Sequence, residues 1–579
     1  MKNRIVANMF DEIADILELK GEMRFKSNAY RRASRTIQDL RDDIEAVWKE
    51  GRLRKIPGIG EGMAKKIEEF LTTGKMEKYD EVAKSVPRGL IELLRVQNLG
   101  PKTLALAQKE LGVQNLEDLR KVIADGSLER LPGMGKKKVE NIRKGILLFA
   151  ASKERISLGV ALPIAEGVIE KLKKTAGLKR ISMAGSLRRY KETIGDIDIL
   201  CEGTDGATII RKFTELPGVV QVLASGETKG SVIVEGGAEG RTQVDLRVVE
   251  PQSYGAALQY FTGSKAHNIR IREIAKKKGY KVSEYGIFKG KRRIGGEEET
   301  DIYRALGLTL IPPEIREDWG EIEAALEGKL PRLVTARDAR GDFHVHSTYS
   351  DGHASIAQIA EKAISMGYGF IAICDHSRSA GYAGGIDEAT LLKQIKEIEK
   401  VNAKLAAPGP ISEGFRVFAG TEVDIRADGS LDFPDEILAK LDVVVASVHS
   451  GFKQRVTERM VAAMKNPHVD IIGHPTGRLI SRREGYEVDL EAIMQAAKDT
   501  STALEINAYF DRMDLSDINC RKAKELGVRL AIGTDSHHLE QLDFLKFGIG
   551  VARRGWLEKP DLLNTYGLKD LMKRFRGKK

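Results

Sequence analysis

Three regimes of hydrophobic patterning follow one another along the 579 residues. Up to about residue 150, apolar positions recur at helical spacing with charged residues between them, as in MKNRIVANMFDEIADILELK. Between 155 and 330 the period shortens to two in GDIDIL and RTQVDLRVVE, so half-buried strands enter among helices. Beyond 340, short apolar runs (FIAIC, VVVASV, VDIIG, RLAIG) alternate with amphipathic stretches such as ASIAQIAEKAISMGY. This predicts a βα repeat whose parallel strands close into a barrel beneath helices. The length exceeds a single hydrophobic core, and at roughly 100–200 residues per domain three to five units are expected. The fold class expected is multidomain, with an all-α N-terminal region, an α+β middle and an α/β barrel at the C-terminus.

Composition narrows the setting. With 42% hydrophobic and 31% charged residues the chain is typical of a globular protein. No apolar run approaches the roughly 20 residues that span a bilayer, and the N-terminus lacks the apolar core of a signal peptide. Cys201, Cys374 and Cys520 are odd in number and far apart, which fits a reducing compartment and no zinc-finger spacing. The expected location is the cytoplasm.

Charge and histidine are distributed in opposite ways. Lys and Arg exceed Asp and Glu by 30 to 23 over residues 1–150 and by 32 to 27 over 151–340, but fall short by 32 to 34 over 341–579. The first two blocks suit a polyanion. Nine of the ten histidines lie in the last block. One part of the chain is therefore expected to hold phosphates and another metal.

In the basic N-terminal block, KIPGIGEGMAKKI, VQNLGPKTLAL and RLPGMGKKKVENI form an internal repeat, each copy following an amphipathic stretch and entering another. A Gly-x-Gly turn opening a helix bares backbone N–H groups to an anion, and the lysines add charge without reading sequence. The residues expected to hold DNA phosphates are Gly58, Gly60, Gly100, Lys102, Gly133, Gly135 and Lys136; Asn98 replaces the first glycine in the middle copy. The repeat resembles the helix-hairpin-helix motif.

In the middle block, Asp196 and Asp198 alternate along one strand and Asp245 lies on another. Period-two geometry puts the first two on one sheet face, and three carboxylates on adjacent strands can hold two Mg²⁺ ions for phosphoryl transfer. Upstream, GSLRR offers backbone N–H groups, a hydroxyl and guanidinium groups to phosphates. GS followed by GDID resembles the nucleotidyltransferase superfamily. With the hairpins ahead of it and YFTGSKAHNIRIR and SEYGIF behind, the segment resembles a family X DNA polymerase. The resemblance implies that Gly185, Ser186 and Arg189 bind a deoxynucleoside triphosphate, and that Asp196, Asp198 and Asp245 are catalytic and hold Mg²⁺ or Mn²⁺. It further implies that Tyr260, Phe261 and Gly263 line the sugar site, that Asn268 meets the minor-groove edge of the incoming nucleotide and Arg272 the template, and that Glu284 and Tyr285 pack behind. Tyr190 departs from the pattern, for the family generally has glycine there. The N-terminal segment GEMRFKSNAYRRASRTI resembles the small lyase domain of these polymerases, and matching from IPGIG places Lys66 at the Schiff-base lysine; an ordinary helix lysine is the other reading.

In the last block the strand-like runs end in candidate ligands. FIAICDH ends at Asp375 and His376, FRVFAGTEVD carries Glu422, VVVASVH ends at His449, VDIIGH at His474 and RLAIGTDSH at Asp535 and His537. Strand C-termini converge at one end of a barrel, and mixed imidazole and carboxylate ligands suit Zn, Mn or Fe. There are too many for one ion, so two or three are expected. HVHSTYSDG, CDH, TEVD, SVH, GHP and TDSH in this order resemble a PHP domain, which implies the ligand set His344, His346, Asp351, His376, Glu422, His449, His474, Asp535 and His537, with His344 and His346 catalytic. Glu505 and Asn507 stand at a further strand end as supports, and His353, His468 and His538 as structural or surface residues.

Together the resemblance implies a gap-filling repair polymerase with a PHP 3′-5′ exonuclease and abasic-site or 3′-end processing, acting as a monomer on gapped or primed DNA. The expected divisions are 1–80 (lyase-like), 81–155 (helix-hairpin-helix), 156–255 (palm), 256–325 (thumb), 326–340 (linker) and 341–579 (PHP). The alternatives are a polymerase module fused to a small-molecule phosphatase and a non-catalytic DNA-binding scaffold.

Overall fold

The computed structural model of the chain describes residues 2–22, 24–38, 44–49, 51–56, 59–94, 96, 99–153, 155–235, 241–405, 414–480 and 483–577. Gly58 and Asn98 of the hairpin repeat lie outside the described residues. The chain separates into two compact units, one comprising Met1–Glu154 with Ser481–Arg483 and the other Arg155–Ile480 with Glu484–Lys579. No helix among the described residues is long and apolar enough to cross a membrane.

The first unit is helical, as its 3.6-residue apolar period requires. Helices Lys2–Leu19 and Arg24–Gln38 pack through Phe10, Ile13 and Ile37, and Leu90, Leu104, Leu119 and Ile142 continue the same core. The three hairpins repeat at the level of single hydrogen bonds. Ile59 N donates to Ile56 O (3.1 Å), Leu99 N to Val96 O (3.1 Å) and Met134 N to Leu131 O (3.0 Å). Gly60, Gly100 and Gly135 then open the helices Glu61–Thr73, Pro101–Leu111 and Lys136–Lys153, their carbonyls accepting from Ala64, Leu104 and Val139. Pro101 occupies the first position of its helix, where a missing N–H costs nothing.

The second unit begins with a five-stranded mixed sheet ordered 178–183, 196–203, 241–249, 229–235, 219–225. Helices Leu158–Leu172 and Gly206–Thr214 cover one face through Leu162, Ile209, Ile210 and Phe213, leaving the other for the aspartates. Residues 254–326 follow as helices around a small three-stranded sheet, with Ile271, Ile287, Ile302 and Tyr303 buried together.

From residue 341, seven parallel strands run in sequence order: Gly341–Val345, Phe370–Ile373, Arg416–Asp424, Val443–Ser447, Ile471–Ile472, Ala503–Asn507 and Leu530–Gly533. The ring closes where Val345 bridges Ser536, Asp535 N donates to His344 O (2.8 Å) and His346 N to Ser536 O (2.9 Å). Phe343, Phe370, Phe418 and Val445 fill the interior, and the helix Leu568–Gly577 buries Leu571 and Phe575 against them. With one end plugged by apolar side chains, the strand C-termini form the other, polar end. Apart from Arg416, every residue of these strands is buried, so most of them read as continuous apolar runs rather than alternating ones.

Candidate active sites and metal centres

Parallel pairing of strands 196–203 and 241–249 sets Asp198 directly opposite Asp245, with Asp196 two residues earlier on the same face. Oxygen atoms of Asp196, Asp198 and Asp245 all lie within 4.8 Å of one another. Burial, reinforced by the Asp196 and Asp245 charges, pushes Asp198 up to about 7. Asp245 is held by Ser231 Oγ at 2.5 Å and Gln243 Nε2 at 2.8 Å, and Lys229 Nζ lies 3.6 Å away. Three converging carboxylates with this little compensating charge fit hard divalent cations.

The loop before them is built against the site. Ala184 N donates to Asp198 O (2.8 Å), and Gly185 turns through φ +59° so closely that a Cβ there would collide with Asp198 Oδ2. Arg188 forks onto Glu299 at 2.8 Å through each terminal nitrogen, and Arg316, fully buried, meets the same carboxylate at 2.6 Å. Burial opposes the charge on Glu299, but Arg316 and Arg188 together hold it down at about 2. Arg189 donates to Glu317 Oε1 (3.1 Å) and to the Thr262 carbonyl, so it ties the loop to the segment carrying Tyr260, Phe261 and Gly263. Gly263 also has positive φ, and a Cβ there would stand 3.2 Å from Arg189 Nη1. Tyr260 and Phe261 meet edge to face, with the Arg247 guanidinium 4.5 Å from the Phe261 ring centre. Asn268 donates to Tyr260 O (2.7 Å) and accepts from Gln259, while Arg272 is exposed. Tyr285, expected to pack behind the site, is 66% exposed; its backbone is engaged, the carbonyl accepting from Ser253 Oγ and the N–H donating to Ser283 Oγ.

At the polar end of the barrel the histidines and carboxylates form three groups whose ligand atoms lie within 4.8 Å of one another. They are His346, Asp351, His376 and His537; His344, His346 and Asp535; and His376, Glu422 and His449. His346 and His376 are shared, so the groups are contiguous. His474 joins through Nε2, 3.0 Å from Glu422 Oε1. His344 Nε2, both nitrogens of His346 and His474 Nδ1 are buried without a hydrogen-bond partner. Orphaned buried nitrogens beside ionised carboxylates are costly unless a cation completes them, so this residue set fits bound metal. Burial disfavours charge on both His344 and His346; Glu505 and Glu422 nevertheless hold His344 well above its usual range, whereas His346, with His537 and His376 beside it, is pushed down to about 4.

Several supporting residues orient the ligands. His344 Nδ1 meets Glu505 Oε1 at 2.7 Å, and Glu505 Oε2 accepts from His474 N at 2.6 Å. Asn507 Nδ2 reaches Asp535 Oδ2 at 3.1 Å. His449 Nδ1 lies 2.5 Å from Asp424 Oδ1. Asp424 carried no role in the sequence reading, although it stands two residues after Glu422 on one strand and so shares its face. Asp375 stands outside the three groups: it accepts from Ser347 and Ser350 N–H and hydroxyl groups and from Gln394, and thereby shapes the loop that carries Asp351. Arg512 Nε, 3.7 Å from Asp535 Oδ2, brings a cation to the rim that no local motif announces. His353 and His538 stack on each other at 3.9 Å.

In the helical unit, a Cβ on Gly60, Gly100 or Gly135 would meet nothing within 4 Å, so internal packing does not demand glycine there. The space beside each of these glycines, at the helix N-terminus, is open. Gly133 is conformational, with φ +74°. Lys102 and Lys136 are exposed beside these turns. Lys66 Nζ donates to Gly62 O (2.9 Å) and lies 6.0 Å from the Tyr30 ring centre; burial and then Lys78 lower its pKa.

Known protein families match several parts of the chain. A helix-hairpin-helix domain family matches residues 1–76, a SAM-like helix-hairpin-helix tandem 90–146, the DNA polymerase beta thumb 257–317 and the PHP domain 342–509. The chain is 40% identical over 579 residues to the DNA polymerase/3′-5′ exonuclease PolX of Bacillus subtilis (strain 168), covering 99% of both. A probable phosphatase of Thermoanaerobacter sp. (strain X514) is 33% identical over 239 residues, which is 39% of this chain and 89% of that protein. DNA polymerase lambda of Arabidopsis thaliana is 28% identical over 346 residues, 54% of this chain and 62% of that one. Full-length identity, the thumb and PHP matches, and two separate clusters of ligating side chains place the chain in the PolX family, the family X DNA polymerases that carry a 3′-5′ exonuclease in a C-terminal PHP domain.

Proposed function

We propose that the chain fills short gaps in DNA during repair, adding deoxynucleotides at Asp196, Asp198 and Asp245, and trims 3′ ends at the His-rich centre of the barrel. The observation that carries this reading is the presence, in one chain, of an all-carboxylate cluster and a separate mixed imidazole–carboxylate cluster. The oxygen-only set suits Mg²⁺ or Mn²⁺, and the mixed set two or three Mn²⁺, Zn²⁺ or Fe ions. When bound, such ions supply positive charge against the phosphate oxygens and lower the pKa of the attacking hydroxyl or water.

The chain's own residues do the rest. Gly185 and Ser186 present backbone N–H groups and a hydroxyl to the triphosphate, and Arg189 offers its guanidinium beside them. Tyr260, Phe261 and Gly263 bound the sugar, Asn268 faces the base edge and Arg272 the template strand. In the barrel, Glu505, Asn507 and Asp424 fix the orientations of His344, Asp535 and His449. Gly60, Gly100, Gly133, Gly135, Lys102 and Lys136 grip the DNA backbone on either side of the gap. The lowered pKa of Lys66 supports its use as a Schiff-base amine toward an abasic sugar. We place the protein in the cytoplasm, acting as a monomer.

A gapped duplex with labelled primer tests the assignment. Asp196→Ala with Asp198→Ala is expected to stop extension and spare degradation, and His344→Ala with His346→Ala to do the reverse. Loss of both activities from either pair in a folded protein would refute the two-site assignment. The 33% identity over 239 residues to a probable phosphatase favours a second reading, hydrolysis of a small phosphate ester. Release of mononucleotides from primed DNA, against release of phosphate from histidinol phosphate, separates the two.

A further inference from the structure

Tyr190, the departure from the polymerase pattern, has an unusual setting. Its backbone keeps a left-handed conformation (φ +54°) that glycine would adopt freely. Its ring packs on Gly550 in the helix Leu545–Arg554 of the PHP domain, so closely that a Cβ on Gly550 would collide with it. Four residues on, Arg554 turns to the same loop. It is 3% exposed, donates through Nη1 to the Arg189 carbonyl (2.8 Å) and Glu317 Oε1 (3.0 Å), and through Nε to Asp517 Oδ2 (2.7 Å). Glu317 is also the partner of the Arg189 side chain. A cavity of about 560 Å³ lies at this junction, lined among others by Ser186, Arg189, Lys191, Trp319 and Arg554.

We propose that Arg554 of the PHP domain is a positioning residue for nucleotide insertion: with the Tyr190–Gly550 contact, it sets the phosphate loop Gly185–Tyr190 and shares Glu317 with Arg189. The buried guanidinium fork holds the loop's backbone and takes part of the charge of Glu317, which otherwise would be left to Arg189 and to Lys191, whose Nζ lies 3.8 Å from Oε1. Arg189 is thereby kept poised at the loop with a weakened hold on its carboxylate, and the cavity leaves its side chain room to turn to a phosphate. The exonuclease domain is on this view a structural part of the polymerase site. The inference rests on the assignment of Ser186 and Arg189 to the triphosphate.

The test is single-nucleotide insertion on gapped DNA by the full chain, with exonuclease rate as the reference for folding. Arg554→Ala is expected to raise the KM for the incoming deoxynucleotide about tenfold while kcat changes less than about threefold and the exonuclease rate less than about twofold. Arg554→Lys restores the charge beside Asp517 and Glu317 but not the fork, so it should recover thermal stability without recovering KM. A purely structural role would recover both, and would overturn the proposal. So would an unchanged KM in a folded Arg554→Ala. Should Arg554→Ala fail to fold, a second pair decides. Gly550→Ala should raise KM in the native background and leave it unaltered in Tyr190→Gly; an equal rise in both, or none in either, overturns the proposal. Ser186→Ala and Arg189→Ala keep the underlying assignment separate. If neither raises KM, the triphosphate assignment falls; if they do and the Arg554 and Gly550 variants do not, only this inference falls.

Discussion

Asp424→Asn tests how the barrel centre is tuned. Asp424 Oδ1 lies 2.5 Å from His449 Nδ1, and His449 Nε2 lies 3.2 Å from Glu422 Oε1. With the proton on Nδ1 facing the carboxylate, Nε2 would be left to hold an ion, and the Asp424 charge would make that nitrogen a better donor. Asparagine keeps the shape and one acceptor but removes the charge. Loss of such a supporting carboxylate costs roughly 10–100-fold in metal affinity, or about 1.4–2.7 kcal/mol. The Asp424 backbone N–H stays bonded to Ser377 Oγ at 3.0 Å, so the strand is expected to keep its course. The assay is chelator competition monitored by 3′-end degradation. The exonuclease midpoint should move to about 10–100-fold higher free metal and activity should return near saturation, with nucleotide insertion unaltered. An unchanged midpoint would refute the supporting role, and loss of activity that excess metal does not restore would show that the residue acts on the chemistry itself.

Three further outcomes follow from particular contacts. Gly185→Ala should lower insertion at least about 100-fold, because the methyl group meets Asp198 Oδ2 and the residue is held at positive φ; the exonuclease of the same protein should be unaffected. Glu299→Gln should cost about 3–5 kcal/mol in urea unfolding, since it strips Arg188 and the buried Arg316 of their shared carboxylate. Glu299 is held at about 2 against an ordinary 4.5, so its contribution of about 3 kcal/mol is present above pH 4.5 and lost as pH falls toward 2; the gap between native and variant must close in that window. Lys102→Ala and Lys136→Ala should each reduce the slope of log binding constant against log salt by about 1, measured by anisotropy on gapped DNA, with no change in sequence preference.

The ligand residues were legible because their chemistry is written locally. Period-two alternation placed Asp196 and Asp198 on one face, and most barrel strands announced themselves as apolar runs ending in or carrying His, Asp or Glu. Asp375 shows the limit of that rule: it ends such a run, yet the strand turns it toward Ser347, Ser350 and Gln394. Asp424 shows the converse, for its position two residues after Glu422 held the signal, but only the His449 ring brought from another strand gave it a task. Tyr285 was expected to pack behind the nucleotide site and instead lies open.

The amino-acid sequence by itself determined the helical hairpins, the aspartate pair, the βα barrel and the histidines and carboxylates that the structure gathers at its polar end. These depend on short-range periodicity and on residue types with narrow chemistry. Tertiary structure alone decided which side chains share a partner. Arg554 reaches the Arg189 carbonyl across 365 positions, Arg188 and Arg316 divide one carboxylate, and Tyr190 packs its ring on Gly550. Such pairings are set by strand order and helix packing over long separations, where no local pattern of hydrophobic and polar residues carries the information.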